Sequence, residues 1–308
     1  MKRRIIQTAQ NTLMITLPRS WVKKYSLEKG QELEVIENGS HLVASPTSSN
    51  TILRAHLDLT GDHKNIVWKK LAAIYIKGCD EVTIVYDNKD TLEEVQDFMR
   101  DLLGWGVAAH TENTILIKNI LPTESKELNE TINRIFFLLL EMGDYTIKNL
   151  EIKNYEALKN LSHMDFNLDK LVNLVLRLLN RNGFRDYTKI NSLYKLIAHL
   201  EEIGDEFRRI GKLFVSKNIK TNSELLNSVK ETNKLVKDLK NFFYEFSEKK
   251  ALEFFDYYKD IEKPDILETK ISDLNALVYG HLSTIRHLVK AIYEEILVLK
   301  LGEVENGC

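Results

Sequence analysis

Hydrophobic and polar positions change their period twice along this chain of 308 residues. Over residues 1–46 apolar residues alternate loosely in short runs, so Arg3–Gln7, Leu13–Leu17, Glu32–Ile36 and His41–Ala44 read as strands. The last two form a hairpin across Glu37-Asn38-Gly39-Ser40, whose Asn-Gly pair is a strong turn signal. Pro18 opens a brief helix, PRSWVKKY, and LEKGQ is a turn. Residues 47–122 mix the two periods. After the polar linker SPTSSN, strands are expected at Ile52–Leu59, Val82–Tyr86, Val107–Thr111 and Thr114–Lys118. Helices are expected at His63–Lys77 and Thr91–Leu103, the second capped by Asp90 or Thr91. The order βαβαββ describes a small α/β segment, read as a spacer in preference to a ligand-sensing domain. From Pro122 the period is helical throughout, in six segments: Leu128–Leu150, Asn154–Asn180, Thr188–Val215, Ser223–Phe246, Lys249–Glu262 and Asp265–Leu301. Short polar turns between them imply antiparallel bundles, and the long amphipathic third and sixth segments hint at two three-helix repeats. The expected fold is a multidomain α+β chain: a β-rich head at 1–46, an α/β segment at 47–122 and an all-α body at 123–301.

The third helical segment carries the first candidate chemistry. Leu196, Leu200, Ile203, Phe207, Ile210 and Phe214 form one apolar stripe. Projected at about 100° per residue, Glu201 and Asp205 fall together on the far side of it. Asp165 and Asp169 repeat the spacing in HMDFNLDKL, and Asp256 and Asp260 repeat it in FFDYYKD. Carboxylates at i and i+4 project from one helix face about 6 Å apart, and two such helices side by side suffice to surround a metal ion. Against this, Asp205 also stands four residues before Arg209, the spacing of an ordinary surface ion pair.

Charge adds a second feature. The net charge is −2, so the whole chain is no polyelectrolyte, yet residues 1–30 hold seven basic residues and one acidic one. Lys2, Arg3, Arg4, Arg19, Lys23, Lys24 and Lys29 make that stretch a basic face. Such a small segment buries little surface alone and calls for a second copy. Two cysteines, Cys79 and Cys308, form no CxxC and no disulfide framework. MKRRII lacks the apolar run of a signal peptide, and runs such as Ile135–Leu140 are too short to span a bilayer. A cytoplasmic protein outside the membrane is expected. Catalysis is not. The residues three before His163, His199, His281 and His287 are Asn160, Leu196, Val278 and Thr284, so no Glu-x-x-His diiron motif exists. Gly211-Lys212 is no phosphate loop, because Glu206 stands where the first glycine is needed.

Two resemblances sharpen the expectation. RRIIQTAQNTLMITLPRSWVKKYSLEKGQELEV resembles the swapped-hairpin DNA-binding domains of the AbrB/SpoVT family. The shared features are a basic pair before the first strand, a strand ending in Leu-Pro, a short basic helix and the turn of Leu27, Gly30 and Leu33. The resemblance implies an intertwined homodimer in which Arg3, Arg4, Arg19, Lys23 and Lys24 face DNA. Gln10-Asn11-Thr12 departs from a family pattern of Gly followed by a basic residue.

LEEIGDEFRRIGKL is similar to the Leu-Glu-Arg-Ile-Gly-Asp-His-Ala-x-Asn-Ile-Ala segment of PhoU proteins, phosphate-uptake regulators built from two three-helix repeats. The likeness covers roughly residues 125–301. It implies metal-binding E/D-x-x-x-D motifs at Asp165, Asp169, Glu201 and Asp205, and at Asp256 and Asp260, for iron, zinc or another divalent metal. Glu206 and Arg209 replace the family's His and Asn, and the last helix offers Ser283 and His287 at the motif positions. Head and body together resemble a class of archaeal phosphate-uptake regulators. The resemblance implies a homodimeric transcriptional regulator of phosphate homeostasis. The alternative is an adaptor that restrains a phosphate ABC transporter or sensor kinase by protein contact, its head used only to dimerise.

Overall fold

A computed structural model describes residues 2–9, 12–38, 41–46, 52–120, 127–182, 188–262 and 273–301. The chain divides into two compact units, one carrying Met1–Leu53 and the other Arg54–Glu305.

In the first unit, β1 (Ile6–Ala9) and β2 (Thr12–Met14) form one antiparallel hairpin, with Ile6 opposite Met14. Helix α1 (Arg19–Lys24) follows, with Pro18 at its N-cap. Strands β3 (Leu33–Asn38) and β4 (His41–Pro46) form a second hairpin, paired from Leu33–Pro46 to Asn38–His41. The hairpins are separate two-stranded sheets. An isolated hairpin is marginal in water, because it has no second layer to bury its apolar face. Accordingly, no described residue of the head is buried. Ile5, Leu13, Ile15, Val35 and Leu42 are each more than half exposed.

The second unit starts with a four-stranded mixed sheet. Its elements are β5 (Arg54–Asp58), α2 (Lys64–Ile76), β6 (Glu81–Val85), α3 (Lys89–Met99), β7 (Trp105–His110) and β8 (Thr114–Asn119), with strand order β5-β6-β8-β7. Strand β5 runs parallel to β6, as the α2 crossover requires, and β8 inserts antiparallel between β6 and β7. Val67, Leu71, Tyr75, Val95 and Met99 from the two helices cover Val82, Ile84, Ile115 and Ile117 of the sheet. The alternate strand positions carry an ion-pair row, in which Arg54 and Lys118 reach the two oxygens of Glu81 at 2.8 and 2.9 Å. The α3 cap is Asn88, whose Oδ1 accepts from Thr91 N at 2.8 Å, and neither Asp90 nor Thr91. Helix α3 therefore begins earlier than expected, and Asp90 lies in its first turn, where its charge suits the helix dipole.

Six helices follow: α4 (Glu127–Glu151), α5 (Leu161–Asn182), α6 (Ile190–Lys217), α7 (Ser223–Tyr244), α8 (Glu248–Glu262) and α9 (Asp273–Lys300). Asn154–Asn180 is not one helix, since Tyr155–Asn160 is a 3-10 turn. Positions 265–272, expected to open the last helix, lie outside the described residues. Helices α4, α5 and α6 pack on one another, α7 packs on α8 and α9, and the two trios meet along α6/α9 and α4/α7. One apolar core runs through both.

The α/β layer is docked on this body and is no loose spacer. Helix α2 ends against α5, and α5 side chains add hydrogen bonds to the carbonyls of its last turn. Arg177 is fully buried. Its Nη1 donates to Tyr75 O at 2.9 Å, and its guanidinium lies 4.9 Å from the centre of the Tyr75 ring. Asn180 Nδ2 donates to Ile76 O at 2.9 Å, and Arg181 pairs with Asp80 at 2.9 Å. Gly78 makes the turn between them at φ +89°, and a Cβ there would meet Arg181 Cβ at 3.2 Å. Truncating the buried Arg177 guanidinium removes a hydrogen-bond donor and opens a cavity, at a cost of about 3 kcal/mol. Arg177→Ala is expected to lower the chemical-denaturation midpoint strongly, and Arg177→Met, which refills the volume, by clearly less. Wild-type stability in Arg177→Ala would show that the junction holds nothing together.

Candidate functional site

The close approach of α5 and α6 follows from two residues of α6. A Cβ on Gly204 would lie 2.2 Å from Leu168 Cδ2, and one on Gly211 would lie 2.7 Å from Leu161 Cδ1. Both distances are inside van der Waals contact, so the leucines fill the space the glycines leave, and at Gly211 a Cβ would also stand 2.8 Å from the backbone carbonyl of Leu158, which cannot swing aside. Gly204 is flanked by Glu201 and Asp205, and the partner surface of α5 carries Asp165 and Asp169. All four carboxylates are thereby brought together.

They do not stand on an outward platform. Asp165 is buried at 5% exposure, and Asp169, Glu201 and Asp205 are half-buried. A projection from one apolar stripe misses this because Gly204 and Glu206 extend the buried arc of α6 toward α5 and α9. Burial, with like charge from Asp165, Glu201 and Asp205, pushes the Asp169 carboxyl up to about 7. Burial, with Asp205 and Asp165, does the same for Glu201, also to about 7. Asp165 is raised by burial against the pull of Arg208.

Two arginines enter the cluster. Arg208 Nε pairs with Asp165 Oδ2 at 2.6 Å, and its Nη2 donates to Asp205 Oδ1. Arg209 Nη2 donates to Asp205 Oδ2 at 2.6 Å, and its Nη1 donates to Glu206. Burial opposes the Arg208 charge, but Asp205 and Asp165 outweigh it and raise its pKa. Glu206 is buried and its Oε2 lies 2.5 Å from His281 Nδ1 of α9. Glu206, Arg208 and His281 were not among the expected site residues. The i,i+3 pairs Asp205–Arg208 and Glu206–Arg209 are visible in DEFRR, whereas the partnership with His281 is not.

The metal expectation meets this geometry poorly. Among the described residues, no three His, Cys, Asp or Glu side chains are placed to hold one ion. The oxygens of Asp205 are occupied by guanidinium donors. In the second trio, Asp256 is exposed on α8, and the side chain of Asp260 lies outside the described residues. On α9, His287 Nδ1 donates to Ser283 O at 2.8 Å. Arg286 there reaches α7, donating to Thr232 Oγ1 at 3.0 Å and Ser228 Oγ at 2.8 Å. The basic residues of the head are placed differently. Arg3, Arg4, Arg19, Lys23 and Lys24 are all exposed.

Three comparisons with known proteins bear on these parts. Residues 6–51 match the family model described as antidote-toxin recognition MazE, bacterial antitoxin. The crystal structure of the phosphate transport system regulatory protein PhoU from Streptococcus pneumoniae superposes with a TM-score of 0.47 at 22% identity, covering 58% of this chain and 95% of that one. No curated protein matches the chain. Among the described residues, no helix is long and apolar enough to cross a membrane.

The crowded carboxylates set a pH dependence. The folded pKa of Asp169 lies above the ordinary carboxylate value, so between about pH 4 and pH 7 the folded chain holds a proton that the unfolded chain releases. Stability from this group therefore falls as pH rises through that window and levels off above it. Asp169→Asn removes the charge and is expected to raise the thermal midpoint at pH 8 while leaving it nearly unchanged at pH 5. An equal shift at both pH values, in calorimetry at matched ionic strength, contradicts this electrostatic picture.

Proposed function

We propose that the protein is a DNA-binding regulator whose head closes as a homodimer and whose helical body supplies the regulatory input. The observation that carries the reading is the head itself. It has no buried residue of its own among those described, it exposes several large apolar side chains, and it presents the five candidate cations, with Lys2 and Lys29, to solvent. A second copy is the occupant that such a surface calls for, and the match of residues 6–51 to the MazE-type model supports a small dimerising domain of this kind. Phosphate homeostasis as the regulated process rests on the likeness of residues 200–211 to the PhoU segment. The adaptor reading uses the same body and gives the cations of the head no role.

Assembly is tested first. The full-length chain is expected to be a dimer by light scattering at micromolar concentration, and Leu13→Asp or Ile15→Asp is expected to shift it toward monomer. A wild-type mass of one chain would remove the assembly on which the reading depends.

DNA binding is tested by anisotropy titration on upstream regions of phosphate-transport genes. Two chains bring a pair of each of Arg3, Arg4, Arg19, Lys23 and Lys24 to one duplex. If about six of these reach phosphates, counterion release lowers affinity roughly 10³-fold between about 50 and 200 mM salt. Arg3→Ala with Arg4→Ala is expected to weaken binding strongly. Lys23→Ala with Lys24→Ala should reduce the salt slope and affect all sequences alike. No binding at low salt, or binding indifferent to these changes, leaves the adaptor reading in place.

A further inference from the structure

The α5/α6 cluster holds two kinds of carboxylate oxygen. Asp165 Oδ2 and both oxygens of Asp205 receive guanidinium N–H groups. Asp165 Oδ1 and Asp169 Oδ1 are buried and have no hydrogen-bond partner among the described residues. A carboxylate as buried as Asp165 is not held by bulk water, so its charge needs a cation beside it. A divalent ion meets that need by gathering several oxygens at about 2.0–2.6 Å. A guanidinium meets it differently, with a planar fork whose donors reach two carboxylates at once. Arg208 does the latter, with Nε on Asp165 of α5 and Nη2 on Asp205 of its own helix. Asp165 Oδ2 and Asp205 Oδ1 are oxygens that a metal bound by the E/D-x-x-x-D pairs would also need. The two cations compete for the same place.

We propose that Arg208 is the resident cation of this cluster, clamping α5 to α6 in the position where the motif implies a metal, so that the residues present do not fit a divalent ion there. Arg209 supports the arrangement by pairing with the second oxygen of Asp205 at 2.6 Å. Gly204 makes it possible, since a Cβ there would stand 3.3 Å from Asp165 Oδ1 as well as striking Leu168. The inference is independent of whether the head binds DNA.

The test uses the full-length chain, stripped with chelator and titrated with Mn²⁺, read by metal content after equilibrium dialysis and by thermal shift. Wild type is expected to retain no stoichiometric Mn²⁺ and to show a flat melting temperature across the titration. Arg208→Gln is expected to melt several degrees lower, because it leaves buried carboxylates without their cation, and Arg208→Lys to recover only part of that loss, an ammonium being no planar fork. Adding Asp165→Asn in the Arg208→Gln background should recover stability, since the uncompensated buried charge goes with it. Stoichiometric Mn²⁺ in the wild type that is lost in Asp165→Asn overturns the proposal, as does an Arg208→Gln protein as stable as the wild type. If Arg208→Gln fails to fold, the stability of Arg208→Lys against the wild type and the wild-type metal content give the same decision.

Discussion

Helix α6 lies against α5 at a separation that two missing side chains permit. Gly204 and Gly211 stand two turns apart, and a Cβ at Gly204 would press on Leu168 of α5 while one at Gly211 would meet Leu161 and the backbone carbonyl of Leu158. Everything distinctive about the body follows from that contact. Once the helices are this close, carboxylates one turn apart on each of them cannot stay in separate solvent shells. Their charges raise one another's pKa, and the crowding is unfavourable unless a cation enters. Arg208 enters from one turn further along α6, where its side chain reaches back across the contact. Close packing and charge compensation are two aspects of one arrangement.

Helix α5 is engaged at both ends by guanidinium groups in opposite roles. Near its start it supplies the acid, Asp165, to Arg208 of α6. Near its end it supplies Arg177 to the Tyr75 carbonyl of α2. A lysine would serve the Asp165 end poorly, because an ammonium is a point charge while Arg208 reaches two carboxylates with separate donors of one planar fork. The α/β layer and the carboxylate cluster thus share a rigid strut. A change that shifts α5 along its axis is felt at both, without any contact between Tyr75 and Asp205 being required.

The element order was readable because period and punctuation agree. Asn-Gly marked the β3–β4 hairpin, whereas α3 stops at Met99, four residues before the expected Leu103. Six helical segments emerged from spacing alone, with the 3-10 turn at Tyr155–Asn160 hidden inside a continuous apolar pattern. The i,i+4 spacing gave the pairs Asp165/Asp169 and Glu201/Asp205, and the PhoU resemblance implied that the two pairs meet. What spacing could not show was which way the pairs face. The stripe argument assigns sides from large apolar residues and treats glycine as neutral, whereas Gly204 turned out to be a contact residue. The junction at Arg177 was invisible for a related reason. LRLLNR reads as an amphipathic helix with solvated arginines, and nothing local reveals that a helix end 102 residues earlier awaits Arg177.

The head and the body solve the problem of burial in different ways. The body closes its core within one chain, down to an arginine that compensates its own acids. The head contains two hairpins and a six-residue helix with no buried position among the described residues, so its apolar side chains find no cover within that unit. Under the proposed assembly a second copy would supply that cover, and the head's stability would then depend on protomer concentration in a way that the body's does not. Basic residues carried on such a head would repel one another most where the two copies meet. A polyanion between them would relieve that repulsion, so in the proposed regulator binding DNA and closing the dimer would favour each other by mass action. Such a device would need no large rearrangement to respond. A modest change in the equilibrium between one chain and two would alter how many cations a duplex encounters at once, and the affinity would follow steeply from that number.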